Sequence, residues 1–111
     1  TTVTVEGDGT GGPNLECALA AGIEFATPDS PVADRPVAFL AADTDGRDGS
    51  TDAAGALVTP KTIADGADAT AARAALDDND SLPALCERNA LIRTGATGTN
   101  VNDLRVLVVG E

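Results

Sequence analysis

Two apolar runs constrain the fold most: "VAFLAA" at 37–42, which is unbroken, and "LRVLVV" at 104–109, interrupted only by Arg105. Six residues are too few for a buried helix and suit a strand. The first run ends at a loop rich in acids and glycine and reads as a strand buried on both faces, as in parallel sheets. The second reads as the last buried strand. A chain organised around two such strands needs helices or further strands to cover them.

The remaining segments supply that cover. "TTVTVE" at 1–6 alternates with period two and is half polar, the pattern of an edge strand. The turn "GDGTGGPN" follows, and Asn14 is placed to cap a helix in "LECALAAGIEFA", where Leu15, Ala18, Leu19, Gly22 and Ile23 share one face. A Pro- and Asp-rich connection spans 27–36. "GALVT" at 55–59 reads as a short strand, Thr59 and Pro60 as a helix start into "KTIADGA", and "ATAARAAL" as a second short helix. Asp80 or Ser81 caps "LPALCERN", with Pro83 in the first turn where its missing N–H costs nothing, and "LIRTG" is a brief strand. The expected fold is α/β, a single domain over 1–111 with a mixed β-sheet packed by helices. The chain begins inside a strand-like alternation with no initiating Met, so a domain cut from a longer polypeptide is expected.

Composition sets the core and excludes partners. Only Phe25 and Phe39 are aromatic, so the core must be built from Ala, Val, Leu and Ile. The 18 acids and 7 bases leave a net charge of −11, which repels nucleic acid and anionic membrane. These acids are spread along the chain and not gathered in a tail, a distribution that fits a cytoplasm of high salt where carboxylate repulsion is screened. Without histidine, and with Cys17 and Cys86 far apart, no zinc site of the usual kind can form, and both thiols are expected to be buried and reduced. The start of the chain lacks the features of a signal peptide and no apolar stretch reaches membrane-span length, so a cytoplasmic location is expected.

Three small-residue loops carry the candidate chemistry: 7–14, 43–52 and 94–102. "GDGTGG" satisfies the spacing G-x-G-x-x-G at Gly7, Gly9 and Gly12. The preceding strand is half polar and no acid follows at the dinucleotide spacing, so the match is weak, and anion attraction by backbone N–H groups at a helix start is the more neutral reading. "DTDGRDGSTD" fails the calcium-loop pattern, because Arg47 and Asp48 stand where an acid or amide and a glycine are needed. It can be a solvated turn or a cleft wall. "TGATGTNVND" offers hydroxyls and amides for a small hydroxylated or phosphorylated ligand, or for its own backbone.

Taken together, "GTGGPNLE", "DTDGRDGSTDAAGA", "NDS" and "TGATGTNVND" resemble, in order and spacing, the C-terminal MOFRL domain of the two-domain glycerate 2-kinases, a family also labelled hydroxypyruvate reductase. The resemblance covers nearly the whole chain. It implies ATP- and magnesium-dependent phosphorylation of glycerate in a cleft shared with a larger N-terminal Rossmann-like domain. Carried over by position, Asn14 and Glu16 match the family's G-G-R-N-Q-E, with Pro13 for Arg and Leu15 for Gln. In the second motif Thr44, Asp45, Asp48, Thr51 and Asp52 match, while Asp43 stands for Gly and Ser50 for Pro. In the last, Thr97, Thr99, Asn100 and Asn102 match, and Ala96 replaces Pro. The resemblance makes Asp45 the candidate to orient or deprotonate the glycerate hydroxyl or to hold the metal, and the other matching residues candidates for substrate or phosphate binding. Two alternatives stand beside it: a non-catalytic acidic binding or regulatory domain, and a reductase of the hydroxypyruvate type.

Overall fold

The structure, a computed structural model, describes residues 11–26, 36–44, 46, 48, 51, 53–63, 66–94 and 103–109. Seven elements follow in chain order: α1 (Pro13–Ala26), β1 (Val37–Asp43), β2 (Gly55–Val58), α2 (Gly66–Asp77), α3 (Ser81–Glu87), β3 (Leu91–Ile92) and β4 (Asp103–Val109). They form the expected single domain of helices packed on one sheet. The strand expected at 1–6 lies outside the described residues.

The described strands lie in the order β3-β2-β1-β4, and every pairing among them is antiparallel. This corrects the parallel reading of 37–42. An apolar run marks a strand, but it does not encode the direction of that strand's neighbours. β1 is indeed interior, flanked by β2 and β4.

α1 lies across β1 and β2, with α2 and α3 packed against α1. Its buried face is the expected one, Leu15, Ala18, Leu19, Gly22 and Ile23, joined by Asn14. Against it stand Ala41, Ala56 and Val58 from the sheet and Leu85 from α3, all fully buried, with Phe39 partly so. The core is therefore aliphatic and small, as the lack of aromatics requires. Small side chains let backbones approach closely: a Cβ on Gly55 would collide with the backbone of Ala41 and Ala42 across the β1–β2 pair.

Two local expectations are corrected. No helix starts after Pro60. Residues 60–63 form turns and bends, with the Thr59 N–H donating to Thr62 Oγ1 at 2.8 Å and the Lys61 N–H to Thr59 Oγ1 at 3.2 Å. Hydroxyls that bond nearby backbone compete with helix formation, and the helix begins only at Gly66. The thiols are both free, but Cys86 is exposed and Cys17 half-buried. Cys86 sits on the solvent side of the short α3, whose inward positions belong to Ala84 and Leu85.

Candidate functional site

The antiparallel sheet gathers the loops at one end, by a route that parallel strands would not offer. Asp43, the last residue of β1, is paired with Asp103, the first of β4, and Ala42 with Gly55, the first of β2. The segment leaving β1 and the one entering β4 therefore meet at the same edge. The N-terminus of α1 is pinned there as well.

Asn14 does the pinning. Its Nδ2 donates to Asp48 Oδ1 at 3.1 Å and to Asp103 Oδ1 at 2.7 Å, across separations of 34 and 89 residues. Both hydrogens of one amide thus bind two carboxylates, one on each of the other two loop segments. The other Asp48 oxygen accepts the backbone N–H of Leu15 at 2.8 Å. Asp48 is fully buried. It is the acid that caps α1, taking one of the N–H groups left without an intrahelical partner in the first turn and placing negative charge at the positive end of the helix.

The expectation that Asn14 itself caps α1 is corrected accordingly. Pro13 occupies the first helical position, and the first intrahelical bond runs from the Glu16 N–H to the Gly12 carbonyl at 2.9 Å. Asn14 falls inside the first turn, free to reach outward. Gly12 is required by the same contact, because a Cβ there would come within 2.6 Å of Asp48 Oδ2.

Within the second loop, Thr51 is buried and serves the turn around Asp48. Its Oγ1 donates to the Asp48 carbonyl at 2.7 Å and accepts the Ala53 N–H at 3.3 Å, while the Asp48 N–H reaches the Ala53 carbonyl at 2.7 Å. Gly46 adopts φ 93°, a left-handed conformation that glycine takes without strain. Thr44 follows β1 as a half-buried turn residue. The "NDS" motif joins from the other side: Asn79, at φ 57°, donates through Nδ2 to Glu16 Oε1 at 2.5 Å, and a Cβ on Gly11 would meet the buried Ser81 hydroxyl.

The structure thus brings Asn14, Glu16, Asp48 and Thr51 into one connected end of the domain, in structural roles. Asp45, Asp52, Thr97, Thr99, Asn100 and Asn102 lie outside the described residues. Sequence reasoning missed Asp103 and Asn79. Their signal was positional: Asp103 is the acid closing the last loop just before the apolar run, and Asn79 opens the "NDS" motif. The departures at Pro13 and Leu15 both serve α1, one as its first residue and one as a fully buried core side chain.

Among the described residues no group of three acids or cysteines could hold a metal ion. The carboxylates of Asp48 and Asp103 that do converge are bound to the Asn14 amide. The described residues therefore do not fit a magnesium ion by themselves. No helix among them is long and apolar enough to cross a membrane.

Comparison with known proteins agrees with the fold. The model of the MOFRL family matches residues 1–103. The chain is 43% identical to D-glycerate 2-kinase of Thermotoga maritima over 111 residues, covering 94% of this chain and 24% of that protein. It is 41% identical to glycerate 2-kinase of Pyrococcus horikoshii over 114 residues, covering 98% of this chain and 24% of the relative. Among solved structures, the crystal structure of glycerate kinase from Thermotoga maritima superposes with a TM-score of 0.85 at 40% identity, over 98% of this chain and 25% of that one. The chain spans about a quarter of the length of these relatives.

Proposed function

Since the chain belongs to the MOFRL family, we propose that it is the MOFRL domain of a glycerate 2-kinase, lying C-terminal to a larger ATP-binding domain and lining the cleft in which glycerate is phosphorylated. The observation that carries this reading is the convergence of the four motif segments on the N-terminus of α1 through Asn14, Asp48, Asp103, Glu16 and Asn79. Hydrogen bonds over such separations hold the loop bases in one place, and phosphoryl transfer demands mainly positioning and charge neutralisation.

On this reading Asp48, Asn14, Glu16 and Thr51 set the loop bases. Thr44, Asp45, Asp52, Thr97, Thr99, Asn100 and Asn102 supply the polar groups toward glycerate and phosphate, with Asp45 orienting or deprotonating the accepting hydroxyl. ATP with its magnesium is held by the larger domain, and the protein acts in the cytoplasm. The complete polypeptide encoded by the gene is expected to form phosphoglycerate from glycerate and ATP, and the 111-residue chain alone to form none. Turnover by the short chain, or oxidation of a nicotinamide cofactor with hydroxypyruvate in place of phosphorylation, would overturn the reading.

The dispersed charge of −11 is further proposed to be an adaptation to high salt. Self-repulsion of this kind is screened when the Debye length shrinks to about 3 Å near 1 M salt. The melting temperature should therefore rise between dilute buffer and molar KCl, as followed by circular dichroism. An unchanged melting temperature would remove the salt argument and leave the kinase reading intact.

A further inference from the structure

The antiparallel register divides the sheet into two unlike faces. Phe39 and Ala41, with Val58 and Ala56 opposite them, face α1. On the other face Leu40 is paired with Leu57 of β2 and Val106 of β4, Ala42 with Leu104, and Ala38 with Val108. An antiparallel sheet with one solvated face carries alternating polar residues there. This face is apolar and open: Val108 is 59% exposed, Leu104 47%, Leu57 45% and Val106 39%. Leu107 and Val109, on the helix side of β4, are exposed as well. Among the described strands β4 is also an edge of the sheet, seven residues long. A contiguous apolar surface, here at a strand that is an edge among the described ones, marks a place where another body sits.

We propose that this face of β1, β2 and β4 seats the remainder of the same polypeptide, packed over β4 from both sides. The inference rests on the reading that the chain is one domain of a larger kinase. Relatives that share this domain carry about three quarters of their length outside it, ample to cover such a face. In dilute buffer a second copy of this chain is the poorer occupant, because each copy brings a net charge of −11 and the two repel where salt does not screen them. A covalently linked domain meets the face at high effective concentration and need not overcome the association cost that a free partner would.

The test is cysteine accessibility. Val108→Cys and Leu104→Cys, each in a background with Cys17→Ala and Cys86→Ser, are reacted with a maleimide in the 111-residue chain and in the complete polypeptide, with circular dichroism confirming the fold. Leu57→Cys replaces either variant that does not fold. Labelling is expected to be fast in the short chain and slower by about tenfold or more in the complete protein, as burial under a docked domain requires. Equal rates overturn the proposal. So does a concentration-dependent dimer of the short chain, seen by sedimentation, in which the same positions are protected, and so does a reading frame that encodes nothing beyond these residues. Kinase activity is measured on the same preparations. Protection without glycerate phosphorylation refutes the kinase reading alone, and phosphorylation without protection refutes the docking alone.

Discussion

Replacing Asp48 by alanine is expected to destabilise the domain by about 3 to 5 kcal/mol. Two hydrogen bonds to a buried charge are lost, each worth about 1.5 to 3 kcal/mol, and the N–H of Leu15 and one hydrogen of the Asn14 amide are left without their acceptor. Removing a helix cap alone costs about 1 kcal/mol, so most of the loss comes from the buried amide and its loop. Asp48→Asn keeps an acceptor oxygen but turns an NH₂ group toward one of the two donors, and the loss should be roughly half as large. Thermal melting of the two variants checks the order. For a domain of this size the alanine variant should melt roughly 10 to 20 °C lower. A shift under about 2 °C would mean that Asp48 is not the buried cap of α1.

That dependence on a distant residue is what the sequence did not reveal. Periodicity placed the buried face of α1, the strand nature of 37–42, 55–58 and 104–109, and the helix after Asp80, because these depend on neighbours within a few positions. Strand direction depends on chain reversals that small-residue loops accommodate either way, so the apolar run at 37–42 was misread as a parallel strand. Asp48 looked like any acid of a charged turn, since its partners Asn14 and Leu15 stand 34 and 33 residues away. The helix starts at Pro13, two residues earlier than expected, which moved Asn14 from cap to bridge. The candidate site was legible as a set of motifs through family resemblance, and its convergence became visible only when Asp43 and Asp103 were seen to be paired. The reading of 104–109 as a buried strand is corrected as well, because the apolar residues of β4 are exposed. Burial of a strand is settled by what lies over it, and α1 covers β1 and β2.

The largest effect on activity is expected at Asp45, in the complete enzyme. An acid that orients or deprotonates the accepting hydroxyl contributes about 10² to 10⁴ in rate. Asp45→Asn keeps size and shape while removing the charge, so the turnover number should fall by about that factor with the fold intact. Asp48→Asn provides the contrast. Its carboxylate is fully buried against α1, so its variant should lose stability first and, below its melting temperature, retain most of its turnover. Asp77, exposed in the last turn of α2, serves as the neutral control, and Asp77→Asn should change neither quantity appreciably. Steady-state kinetics and thermal melting of the three variants separate a chemical acid from a structural one. If Asp45→Asn turned over at the rate of Asp77→Asn, the hydroxyl would have to be activated by another group and the assignment of Asp45 would fall, while the role of Asp48 at the helix would stand on its own melting curve.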